Sequence, residues 1–65
     1  MIEKIIWMEL KDGKAEVHSF LAGKNLFVPA KDDLVLIGQQ IYTVCYRSFN
    51  PQAPQVVVVT ISLNQ

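Results

Sequence analysis

Gln55-Val56-Val57-Val58-Val59-Thr60-Ile61-Ser62-Leu63 is a nine-residue stretch without a charge, and six of its residues are β-branched. Stiff, branched side chains suit the pleated surface of a strand. With period-two alternation, Val57, Val59, Ile61 and Leu63 share one face, and Val56, Val58, Thr60 and Ser62 share the other. Both faces are therefore largely uncharged. The pattern extends backwards: of the six basic and six acidic residues in the chain, only Arg47 lies after Asp33. So much uncharged apolar chain is hard to hide inside a small monomer, which points to a partner or a self-association surface.

Upstream, Asn50-Pro51-Gln52-Ala53-Pro54 is a loop, because neither proline can donate to a ladder. Ile41 to Phe49 reads as a long strand with Tyr42, Val44 and Tyr46 on one face. Ile41, Thr43, Cys45, Arg47 and Phe49 fall on the other. Gly38-Gln39-Gln40 reverses the chain from Leu34-Val35-Leu36-Ile37, itself preceded by a polar turn at Lys31-Asp32-Asp33. Leu26-Phe27-Val28 is expected as a short third strand, ended by Pro29. Ala15 to Leu21 forms the second strand, followed by a turn at Ala22-Gly23-Lys24-Asn25. Asp12-Gly13 tolerates the positive φ angles of a tight type I′ hairpin, which joins it to a first strand over Ile2 to Leu10. A short helix competes at that first segment, since Glu, Lys, Met and Leu favour helices, but Ile5, Ile6 and Trp7 favour a strand. The expected fold is all-β: five to six short antiparallel strands in a small barrel or a strongly bent meander sheet.

The length of 65 residues limits the chain to one domain, residues 1–65, with a core near the lower size limit for folding without staples. A single cysteine excludes an internal disulfide, and one cysteine with one histidine cannot complete a Cys/His zinc site. No cofactor is expected. A net charge of zero gives no electrostatic footprint for nucleic acid or anionic lipid. No signal peptide is visible, and apolar runs such as Leu34–Ile37 and Val56–Val59 are far too short to span a bilayer as a helix. A soluble cytoplasmic protein is the expectation, and Cys45 suits a reducing compartment.

Candidate chemistry is sparse. His18 is the chain's single histidine, the residue type with the most common catalytic habit, and alternation places Glu16 and Phe20 on its face and Val17 and Ser19 on the other. It reads as an exposed strand histidine. Cys45, mid-strand, reads as a small buried hydrophobe. Asp32-Asp33 lacks the further oxygen ligands of a calcium loop and reads as a turn. Gly13, Gly23 and Gly38 are scattered among separate turns and form no phosphate cradle. An enzyme is not expected.

Contact chemistry is better represented. Arg47 is either a polar anchor in an apolar interface or a solvent-face arginine paired with Glu3, Glu9 or Glu16. Tyr42 and Tyr46, about 13 Å apart at ~3.3 Å per residue, could stack single-stranded bases, but such platforms also need a basic groove. Core or interface roles suit them better. Trp7, Phe20 and Phe27 are expected to form a cross-strand aromatic cluster, or a binding patch if Trp7 is exposed. The interface candidates are Arg47, Tyr42, Tyr46, Phe49, Val57, Val59 and Trp7.

Val28-Pro29, Asp33-Leu34-Val35-Leu36-Ile37-Gly38 and Tyr42-Thr43-Val44 together follow the cadence V-P…D-x-V-x-I-G-x-x-x-Y-x-V. This third of the chain resembles a segment of the small SH3-like β-barrels of bacterial, phage and mobile-element accessory proteins. The resemblance implies a barrel used for protein–protein contacts, particle assembly and occasionally nucleic acid, with no functional residue carried over. An Sm-like RNA-binding ring is related, although the chain lacks that family's N-terminal helix and basic RNA-contact loops. The expected function is a non-enzymatic interaction or assembly module whose partner is itself or a larger protein. The alternative is a single-stranded nucleic-acid-binding barrel using Tyr42, Tyr46 and Arg47.

Overall fold

A computed structural model describes residues 1–64. The strands are β1 (Lys4–Lys11), β2 (Lys14–Ala22), β3 (Leu34–Ile37), β4 (Gln40–Phe49) and β5 (Val56–Leu63). They form one sheet in the order β2-β1-β5-β4-β3, curled into a half-barrel, and no helix occurs among the described residues. The β1–β2 turn is of the expected kind. Asp12 and Gly13 take φ angles of 53° and 77°, both in the left-handed region that a type I′ hairpin requires. Gly38, with φ 64°, provides the corresponding reversal between β3 and β4.

The sheet is mixed rather than purely antiparallel. β1 pairs with β5 in parallel, in register from Lys4 opposite Val56 to Glu9 opposite Ile61. The valine run is thus the middle strand of the sheet, not an edge. The run is apolar on both sides, but only its inward residues Val57 and Val59 are fully buried, while Val56 and Val58 on the outward side are half-buried.

The expected third strand over Leu26–Val28 does not form. β2 and β3 lie at opposite edges, so the chain between them must cross the open concave side. It does so as an irregular segment pinned to the chain start, with the Gly23 and Leu26 amides donating to the Glu3 and Ile2 carbonyls at 3.0 and 2.9 Å. Leu26 and Val28 pack on the core, and Pro29 is buried. These residues plug the half-barrel instead of extending the sheet.

Two bulges set the curl. Trp7 pairs with Ser19 and Met8 with Val17, leaving His18 as an extra residue in β2. Val44 pairs with Ile61 and Tyr46 with Thr60, leaving Cys45 as an extra residue in β4. A bulge bends its strand and reverses the in–out alternation beyond it. Tyr42 and Val44 therefore face the core while Tyr46 faces outward, which corrects the expectation that all three share a face. Beyond the bulge Arg47 and Phe49 pair with Val59 and Val57 and lie on the concave side. The core is Ile5, Trp7, Tyr42, Val44, Val57, Val59 and Ile61, with Ile2, Leu26, Val28, Val35, Ile37 and Leu63 around it.

Candidate interaction surface

Each strand has one side turned to this core and one turned away. On the outward side the registers align Phe20, Ile6, Val58 and Ser48 in one row across β2, β1, β5 and β4. The next row is Val17, Met8, Thr60 and Tyr46. Beyond β4, Leu34 pairs with Thr43 and Leu36 with Ile41, continuing the face to the β3 edge. The charged residue on this outward side is Lys4, at its corner, and its ammonium lies 4.8 Å from the Phe20 ring centroid. Large apolar side chains stand open to solvent there: Phe20 is 66% exposed, Leu36 71% and Tyr46 51%. Val17, Leu34 and Ile41 are exposed as well.

The seven interface candidates separate into three groups. Trp7, Tyr42, Val57 and Val59 are buried in the core and offer no area to a docking partner while the chain is folded. Arg47 and Phe49 are exposed but stand on the concave side, with the guanidinium carbon 5.7 Å from the Phe49 ring centroid. Tyr46 lies on the outward face. Leu36, Val17, Leu34 and Ile41 belong to that face and are not marked by the sequence reading, which places Phe20 in an aromatic cluster with Trp7 and Phe27 rather than among the interface candidates. Their signal was present: strands apolar on both sides cannot bury both.

The expected aromatic cluster is not assembled. Trp7 points inward opposite Ser19, Phe20 lies one row away on the outward side opposite Ile6, and Phe27 sits in the crossing segment. Phe27 and Trp7 do meet around an open groove of about 430 Å³ that runs beside β3 and is also lined by Pro29 and Asp33. Tyr42 and Tyr46 project from opposite faces of β4, so they do not form one stacking platform.

No protein-family model, curated protein or solved structure matches the chain.

The remaining polar cluster closes the half-barrel. Tyr42 and His18 are on strands three places apart in the sheet, about 14 Å if it were flat at ~4.8 Å per strand. The Tyr42 hydroxyl nevertheless lies 3.2 Å from His18 Nε2, and the two rings meet edge-on with centroids 5.4 Å apart. The curl brings them together. Ser19 Oγ is 2.8 Å from His18 Nδ1. This corrects the expected placement of Ser19 opposite His18, because the bulge turns both to the concave side. Tyr42 O–H donating to Nε2 and Nδ1–H donating to Ser19 Oγ satisfy both ring nitrogens in one tautomer. The cluster acts as a clasp between the sheet's two ends. Tyr42→Phe, which keeps the ring and removes the hydroxyl, should lower unfolding free energy by about 1 kcal/mol in urea titration. An unchanged midpoint would show that the clasp carries no stability.

Asp33 has a structural role. Its Oδ2 accepts the Ala30 amide at 2.8 Å and its carbonyl accepts the Val44 amide at 2.9 Å, closing the turn before β3. Cys45 is a half-buried free thiol 3.9 Å from the Thr43 carbonyl. Among the described residues no group of three or more His, Cys, Asp or Glu side chains could hold a metal ion. No helix there is long and apolar enough to cross a membrane.

Proposed function

We propose that this chain is a non-enzymatic protein-interaction or assembly module, and that its contact surface is the outward face of the sheet. The observation carrying this reading is the near absence of charge on a side that exposes Phe20, Leu36, Leu34, Val17, Ile41 and Tyr46. Monomeric soluble proteins rarely leave a contiguous apolar patch of more than a few hundred Å² open to water. Depletion of charge in favour of aromatic and aliphatic side chains is the compositional mark of the buried part of a protein contact. Of the residues that resemble SH3-like barrels, Leu34–Gly38 and Tyr42–Val44 fall in the β3–β4 hairpin and Val28-Pro29 in the crossing segment; a small SH3-like barrel of the accessory-protein kind is our proposed fold family. The free thiol of Cys45 fits a reducing compartment, so we place the module in the cytoplasm.

Photo-crosslinking tests the reading. A benzoyl-phenylalanine at position 20, on the outward face, should give covalent protein adducts in the cell that makes the protein. The same probe at position 49, on the concave side, should give few. Equal yields at both positions, or none at position 20 in a folded chain, would overturn the assignment.

A further inference from the structure

The folded chain leaves more surface open to water than its size calls for. A 7.3 kDa monomer is expected to have about 4,200 Å² of accessible surface, whereas this chain has 4688 Å². The excess, roughly 500 Å², belongs to the whole chain, and Phe20, Val17, Leu34 and Leu36 of the outward face are among its most exposed apolar side chains; a standard interface takes about 800 Å² from each partner. The molecule measures 32 × 22 × 18 Å along its principal axes, so its broad side can supply such an area.

We propose that the occupant of this face is a second copy of the chain, stacked sheet on sheet about a two-fold axis near β5. The inference rests on the reading of the outward face as a protein contact. Charge selects the occupant. With Lys4 at one corner and no charge in the middle, the face has nothing to compensate a partner's desolvated charge. A surface of the same chemistry is required, and the chain's own outward face is one. In a two-fold contact the same patch serves both subunits, so an uncharged patch meets itself without repulsion.

Side-chain size also fits. β5, at the centre, points small residues outward, Val56, Val58, Thr60 and Ser62, with Thr60 already buried between the larger flanks. The flanking strands carry Phe20 and Met8 on one side and Tyr46 and Leu36 on the other. Large flanks around a low centre offset the curl of the backbone. Two such faces, crossing at the roughly −30° of aligned sheets, can touch along both flanks instead of along one line.

Size-exclusion chromatography with light scattering, run over a dilution series, tests the proposal. The expected mass is twice 7.3 kDa at high concentration, falling towards 7.3 kDa on dilution. Phe20→Lys and Leu36→Lys replace exposed residues on opposite flanks. Each should keep the strand circular-dichroism signal and weaken the dimer at least about tenfold. Two sites guard against one variant failing to fold. A wild-type mass of 7.3 kDa at the highest soluble concentration would overturn the second-copy inference. In that case adducts to another protein from position 20 would leave the contact reading standing, and their absence would remove it as well. A dimer unaffected by either lysine would place the contact elsewhere and also overturn the inference.

Discussion

Val59→Lys should unfold the chain. Val59 has no exposed surface, sits on the central strand, and is flanked in register by Trp7 on β1 and Arg47 on β4. A lysine there would bring an ammonium into an apolar core and, on its β4 side, next to an existing cation. An uncompensated buried charge destabilises by about 3–5 kcal/mol. A single-core domain of this size rarely has more than about 3–5 kcal/mol in total. Far-UV circular dichroism and urea titration should then show a chain without a cooperative transition at 25 °C. Val58→Lys is the matched control, because the neighbouring side chain is half-buried and points outward. It should retain the transition with a smaller loss. Two equally folded variants, or two equally unfolded ones, would contradict the assignment of inner and outer sides to β5.

Trp7→Ala should be nearly as damaging. Trp7 is 8% exposed, lies in the core, and forms a wall of the groove beside β3. Truncating a buried aromatic to alanine removes about 3–5 kcal/mol, because the lost transfer energy is joined by the cavity left behind. The variant should be mostly unfolded at 37 °C by circular dichroism. Trp7→Phe should stay folded, since most of the volume remains. A melting temperature for Trp7→Ala within a few degrees of the wild type would show that Trp7 lies outside the core.

Much of this architecture was legible from residue chemistry. Asp12-Gly13 specifies its hairpin because those residues tolerate positive φ. The Leu34–Ile37, Ile41–Phe49 and Val56–Leu63 segments specify strands through branched and aromatic content. Register was less legible. Val17-His18-Ser19-Phe20 and Val44-Cys45-Tyr46-Arg47 carry no glycine or proline to mark a bulge, yet one residue in each is extra and everything beyond it changes side. That shift removed Arg47 and Phe49 from the outward face and placed Tyr46 on it. It also joined His18, Ser19 and Tyr42 into a clasp across the sheet ends.

Strand direction was hidden for a different reason. Local propensity describes one segment at a time and does not say which strand becomes its neighbour. The unbroken valines did contain the relevant signal, since a strand apolar on both faces belongs in the middle of a sheet. Leu26-Phe27-Val28 shows the converse limit. Its chemistry suits a strand, but its path between opposite sheet edges leaves it no ladder to join.

Hydroxyl-radical footprinting at low and high protein concentration measures most directly which surface makes contact. Phe20, Leu36, Tyr46 and Met8 should lose reactivity as the protein is concentrated, while Phe27 and Phe49, both exposed and off the outward face, should stay reactive throughout. Reactivity on the outward face that does not change with concentration, or protection confined to Phe27 and Phe49, would contradict the self-association of this sheet face.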